Sequence, residues 1–321
     1  MFSFLSSLFS GRQPAPPEQD LSFGLLAARG VPALVRAQRW DEVAALAASL
    51  SGDELSRLLD GLCLTDAYSV DLTQLGARPD DEFSRLALGA WYLFQAWQAR
   101  TAKYGKDLTE TEINGFEHYL RLAHERLSSA FESELFRSEA RARLVRTEQG
   151  FSDVEAAMEA FHESVALDPT KFWAYHHLFK VASPRWFGSR EELAEYIESV
   201  AEPRVQYALW LMYLVEMYDD LERELENEVT AQRRWYDEQQ GLVREVLARP
   251  TLPVSETLVS IYANNNLAYV YHLLGEQARR DELLDRLASR FTPYPWAYFG
   301  VDSGSAAAMK RFRSSAARAK P

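Results

Sequence analysis

The sequence has little cysteine, glycine or proline, and it has no long apolar run. One cysteine among 321 residues, Cys63, excludes an internal disulfide bond. Glycine (15) and proline (13) are scarce, and because β-sandwiches need many turns, this scarcity favours long helices. No segment reaches the roughly 18 consecutive apolar residues that a transmembrane helix requires. We therefore expect a soluble, cytoplasmic, helix-rich protein.

The chain is also short of positive charge. With 35 basic and 47 acidic residues its net charge is −12, which disfavours specific binding to nucleic-acid phosphates. The C-terminus differs, because residues 303–321 contain five cations and no acid. We predict a disordered basic tail over residues 301–321. The alternatives are weak contact with anionic lipid or nucleic acid, and folding back on the acidic body.

The common catalytic motifs are missing from the sequence. It contains no Gly-x-Ser-x-Gly elbow, no Gly-rich phosphate loop and no plausible Cys–His pair. Glu159 and His162 have the i, i+3 spacing used by di-iron bundles, but such a site needs a second copy of the motif and two further carboxylates. The sequence therefore predicts no catalytic residues, no metal and no cofactor, and hence a protein that is not an enzyme.

Apolar residues recur at helical spacing along most of the chain. Trp40, Val43 and Ala47 share one helix face. The segments 51–54 and 109–112 have the spacing of capping boxes, in which a Ser or Thr and a Glu satisfy amide groups at a helix start. Clear strand alternation is absent. Helices joined by short loops bury their apolar stripes on their neighbours, which favours a stacked array of hairpins.

Partial tetratricopeptide (TPR) repeats support this arrangement. Ala157, Phe161 and Pro169 have the spacing of the second helix of a repeat, and Tyr271 and Gly275 match the first. We predict an all-α fold, an irregular TPR-like array of antiparallel helical hairpins (an α-solenoid), over residues 21–300. An apolar leader and a Pro-rich linker precede it at residues 1–20.

The segment Ser183-Pro184-Arg185-Trp186-Phe187-Gly188-Ser189, with Gly89-Ala90-Trp91, Leu167-Asp168-Pro169 and Pro295-Trp296, carries a family resemblance. Over about residues 80–300 the chain resembles a bacterial domain-of-unknown-function family of TPR-like helical proteins. That family is marked by Trp-Gly-Gly-Ser after a Pro-Lys or Pro-Arg pair, and Phe187 stands here where it usually has glycine. The resemblance implies a helical fold and confers no activity. Some members, as the resemblance implies, are found near secretion or toxin–immunity loci.

Two pairs of residues are the candidates for partner binding. Arg185 and Trp186 are of the types that dominate interface hot spots. The alternative is structural, with Trp186 plugging a hairpin junction and Ser189 capping the next helix. Asn265 and Tyr269 share one helix face, and the resemblance to TPR arrays implies that such asparagines clamp a peptide backbone. The alternative for Asn265 is a hydrogen bond to a neighbouring loop carbonyl.

These observations favour a protein-interaction scaffold or adaptor, which binds a protein or peptide through the concave face of the array. The alternative is a small-molecule receptor or enzyme with a site assembled from sequence-distant residues, with pairs such as Glu159 and His162 facing an enclosed pocket. At the N-terminus, Phe2, Leu5 and Phe9 suit peripheral contact with a membrane surface. A disordered leader, or one turn docked on the body, is the alternative there.

Overall fold

A computed structural model of the chain describes residues 20–64, 72–101, 105–301 and 306–314. These ranges are helical and contain no β-strand, which confirms the all-α prediction for them. Short 3-10 turns cover Leu72–Ala77, Gly105–Asp107 and Trp296–Phe299. The α-helices are α1 (Leu25–Ala28), α2 (Val31–Arg36), α3 (Trp40–Ala48), α4 (Gly52–Leu64), α5 (Glu82–Arg100), α6 (Glu110–Leu127), α7 (Glu134–Phe151), α8 (Val154–Leu167), α9 (Phe172–Val181), α10 (Arg190–Ser199), α11 (Pro203–Leu225), α12 (Glu228–Ala248), α13 (Leu258–Leu273), α14 (Gln277–Leu287) and α15 (Ala306–Ser314).

Consecutive long helices pack side by side. Helix α5 packs on α6, α7 on α8, α11 on α12 and α13 on α14. Two central helices connect these pairs, because α7 also contacts α4, α5 and α9 while α11 also contacts α9 and α13. Helices α11 and α13 are buried around most of their circumference, since neighbours cover them on several sides.

The predicted helix starts are confirmed. Thr109 and Ser189 each form a capping box with the glutamate three residues later. Ser51 does the same: its amide donates to Glu54 at 3.1 Å and its hydroxyl accepts from the Glu54 amide at 3.3 Å. Each box satisfies amide groups that have no partner within the helix. These contacts span only three residues, which is why the sequence predicts them well.

The prediction of a disordered tail over 301–321 is wrong for residues 306–314, which form α15. Met309 and Phe312, at i and i+3, are buried against the body, and the Phe312 ring centroid lies 4.6 Å from that of His272. Arg313 also pairs with Asp285. Apolar burial and charge attraction thus hold this segment on the body, as the fold-back alternative expected. Residues 302–305 and 315–321 lie outside the described ranges.

The N-terminal predictions for Phe2, Leu5 and Phe9 also lie outside the described residues. Of the helices that are described, none has the length and the apolar character needed to cross a membrane.

Candidate ligand-binding cavity

A partly enclosed cavity of about 330 Å³ lies among helices α4, α5, α7, α9 and α13. Its size falls within the range of small-molecule sites, roughly 300–1,000 Å³. Its walls come from segments far apart in the sequence. The lining residues are Leu21, Phe23, Asp60, Leu93, Phe94, Trp97, Arg143, Arg146, Trp173, His176, His177, Lys180, Tyr262, Pro293 and Tyr294.

One wall is a cluster of aromatic rings on α9 and α13. Trp173 stacks on His177, with ring centroids 5.3 Å apart and an interplanar angle of 12°. The rings of His176 and Tyr262 meet Trp173 edge-on at 4.9 and 5.3 Å. Because each ring is held by its neighbours, this wall is rigid before any ligand arrives.

Both histidines on this wall are uncharged. Burial lowers the pKa of His177 to about 3, although its Nδ1 bonds to the carbonyl oxygen of Ala142 at 2.8 Å. Burial also lowers the pKa of His176 well below its usual value, and the neighbouring His177, Lys180 and Arg146 lower it further. At neutral pH each ring therefore has one N–H donor and one acceptor nitrogen.

Two lining side chains hold buried polar atoms without hydrogen-bond partners among the described residues. The atoms are the two ring nitrogens of His176 and the indole Nε1 of Trp97. Such atoms are rare in folded proteins, and each costs roughly 1–3 kcal/mol.

Two of the lining cations are held by aromatic rings. The guanidinium carbon of Arg146 lies 3.4 Å from the ring centroid of Trp97, and Arg146 donates a hydrogen bond to Gln149. The Lys180 Nζ lies 4.3 Å from the ring centroid of Tyr294 and pairs with Glu216. These cation–π contacts orient both side chains along the cavity.

A buried ionic network supports the floor of the cavity. Arg143 donates to Asp60 at 2.9 Å and to Glu139 at 2.7 Å. Lys171 donates to Glu139 at 3.1 Å, and Trp173 Nε1 donates to Asp60 at 2.9 Å. The network joins α4, α7 and the start of α9, and each buried charge has an opposite partner, as burial requires. Burial raises the pKa of Asp60 to about 6, against the opposing effect of Arg143.

Arg185 and Trp186, the predicted partner-binding residues, contact different parts of the structure. Trp186 packs edge-on against Trp97, with centroids 5.4 Å apart, so it lies directly behind a cavity wall. Arg185 pairs instead with Asp219 and with Asp220, the latter at 3.1 Å. The structural interpretation of the loop is confirmed in one respect, the cap at Ser189. Partner binding by Arg185 and Trp186 stays a prediction.

Asn265 and Tyr269 are buried, so their prediction as a peptide clamp is wrong. Asn265 Nδ2 donates to the carbonyl of Arg290 at 2.9 Å, and its Oδ1 accepts from Trp296 Nε1 at 2.7 Å. Tyr269 lies among aromatic rings that include Trp296 at 5.7 Å. Asn265 therefore ties α13 to the loop after α14, which agrees with its alternative interpretation.

The sequence-derived pair Glu159 and His162 is exposed on α8 and does not line the cavity. Among the described side chains, no group of three or more His, Cys, Asp or Glu residues is placed to hold a metal ion. Sequence reasoning missed Asp60, Arg143 and Trp173. The available signal was the pair Glu139 and Arg143, charges that fall on the same face as apolar residues of α7.

Comparisons with protein-family models, with curated proteins and with solved structures find no match for this chain. The inference of function therefore rests on the residues and their geometry.

Proposed function

We propose that this protein is a receptor for a small organic molecule, which binds in the cavity among α5, α7, α9 and α13. The observation that carries the proposal is the partly enclosed cavity itself, lined by the aromatic wall around Trp173 and by a few polar groups. The stacked rings around Trp173 require little reordering when a ligand binds, which lowers the entropic cost of binding.

Binding is favoured over catalysis by the chemistry of the lining. The one lining carboxylate among the described residues, Asp60, already accepts hydrogen bonds from Arg143 and Trp173. No serine or cysteine is among the lining side chains that the structure describes. The lining thus offers an apolar surface with a few polar groups, the usual character of a binding pocket.

The test uses three ligands with one ring system: 1-naphthoate, 1-naphthylmethanol and 1-naphthylmethylammonium. Isothermal titration calorimetry of the full chain should detect at least one of them with a Kd below about 1 mM, roughly −4 kcal/mol. Trp173→Leu removes the central ring of the wall and should weaken that binding at least tenfold. Trp210→Leu is the matched control, since Trp210 is a buried tryptophan on α11 that lies outside the cavity lining.

Two results would overturn the proposal. One is the absence of measurable binding for all three compounds. The other is equal weakening by Trp173→Leu and Trp210→Leu, which would mean that binding does not involve the cavity. Circular dichroism of each variant confirms that the samples compared are folded.

A protein-interaction scaffold, built as a TPR-like array, is the second candidate function. It is favoured by an exposed apolar strip of Phe151, Val154 and Met158 at the junction of α7 and α8, because contiguous exposed apolar surface marks interaction sites. The packing of consecutive helices as pairs supports the TPR-like arrangement. The family resemblance likewise remains a prediction.

Affinity capture from the native host, followed by mass spectrometry, tests the scaffold. A partner bound at the strip should be lost with Met158→Asp and retained with Val229→Asp, a control at an exposed apolar residue on α12. Reproducible absence of any such partner would contradict this candidate.

A further inference from the structure

The cavity lining has more positive than negative charge. Arg143, Arg146 and Lys180 line it, and among the described lining residues they face one carboxylate, that of Asp60. The carboxylates that pair with Arg143 and Lys180 from behind, Glu139 and Glu216, are buried outside the lining. The surface that a ligand meets is therefore formed by cationic groups and aromatic rings.

A cationic ligand fits this lining poorly. Clusters of aromatic rings do bind quaternary ammonium groups, and the rings of Trp97, Trp173 and Tyr262 could form such a cage. Asp60 would then be the only lining counter-ion, and both of its oxygens already accept hydrogen bonds, from Arg143 and Trp173 at 2.9 Å each.

An anionic ligand finds groups suited to it. Arg146 lies against Trp97, which fixes the plane of its guanidinium, and a guanidinium of fixed orientation is suited to bidentate contact with a carboxylate. The stacked wall around Trp173 lines the same cavity. One molecule with a flat ring and a negative group could contact the Trp173 wall with its ring and Arg146 with its negative group.

We propose that the ligand is an aromatic carboxylate, whose ring packs on the Trp173 and Tyr262 wall and whose carboxylate binds Arg146. This proposal rests on the receptor function proposed above and adds the chemical class of the ligand.

The three naphthalene compounds separate this proposal from the receptor function itself. Because they differ chiefly in charge, we expect 1-naphthoate to bind at least tenfold more tightly than 1-naphthylmethanol, and 1-naphthylmethylammonium to bind most weakly. Arg146→Gln should reduce the ratio of the first two affinities to about two or less.

The matched control is Arg141→Gln, five residues earlier on α7. Arg141 pairs with Glu163 on the surface and does not line the cavity, so its loss should leave the tenfold preference intact. Arg146→Lys keeps the positive charge but lacks the planar guanidinium. Its preference for 1-naphthoate over 1-naphthylmethanol should therefore lie between about twofold and tenfold. That intermediate result would not follow if Arg146 only supported the fold.

Equal or tighter binding of the alcohol or the ammonium compound by the wild-type chain would overturn the anion proposal. An unchanged preference in folded Arg146→Gln would overturn the role of Arg146. If the alcohol still binds and still depends on Trp173, the receptor function stands while the ligand class falls. If none of the three compounds binds, the receptor function falls as well.

Discussion

Replacement of Glu139 by glutamine should be among the most damaging conservative changes in this protein. The Glu139 side chain is 0 % exposed. It accepts hydrogen bonds from Arg143 at 2.7 Å, from Lys171 at 3.1 Å and from Ser56. Glutamine keeps the shape but removes the negative charge, so two buried cations lose their shared counter-ion.

The magnitude follows from what remains. Arg143 keeps Asp60 at 2.9 Å, but the other carboxylate near Lys171 is Asp168, at 3.7 Å. Removing one member of a buried ion pair costs about 3–5 kcal/mol, because the remaining charge stays buried. A fold of ordinary stability, about 5–15 kcal/mol, would lose much of its margin. We therefore expect Glu139→Gln to lower the free energy of unfolding by about 3–5 kcal/mol.

Urea denaturation at pH 7, followed by circular dichroism, measures this change. Glu163→Gln is the control, because Glu163 on α8 makes a partly exposed pair with Arg141 on α7, and such pairs contribute only about 0–1 kcal/mol. In a double-mutant cycle, Lys171→Met should cost less in the Glu139→Gln background than in the wild type. A loss below about 1 kcal/mol, or one equal to that of the control, would refute the reasoning.

Three further changes test other parts of the structure. Asp60 has a folded pKa of about 6 against an ordinary 3.8, so its stabilising contribution is complete below pH 3.8 and is lost as pH rises through 6. As the pH rises from 4 to 8, the difference in unfolding free energy between Asp60→Asn and the wild type should shift by up to about 3 kcal/mol in favour of the variant, measured by urea denaturation. A difference that stays constant with pH would contradict this. Asn265→Ala leaves Trp296 Nε1 and a loop carbonyl unpaired and should lower stability by about 2–4 kcal/mol in the same assay, whereas a near-zero change would refute its linking role. Phe312→Ala removes an aromatic anchor of α15 and should cost about 3 kcal/mol, with faster tryptic cleavage in residues 306–314; cleavage at the wild-type rate would contradict the docking of this helix.

The helices and their starts could be predicted because their causes are local. Ser51, Thr109 and Ser189 each cap a helix through a glutamate three residues away, and the apolar spacing that defines a helix face repeats within four residues. Sequence alone therefore determined the helical class, most of the helix positions and the short connections that pair consecutive helices.

The buried positions of several polar residues were not predictable in this way. The residues next to Asn265 in the sequence are also polar. Its hydrogen-bond partners, Arg290 and Trp296, lie 25 and 31 residues later, after α14. The tail shows the same limit, because its composition suits disorder while Met309 and Phe312 find a receiving surface on the body.

The cavity depends on tertiary structure most of all. Asp60 and Arg143 are 83 residues apart, and Trp97 and Trp186 meet only because α5 and the loop before α10 are packed together. Sequence determined which helices form and which of their faces are apolar. Only the packing of those helices decided where a space remains between them and which side chains line it, since the van der Waals contacts that close a core are fixed by shape in three dimensions.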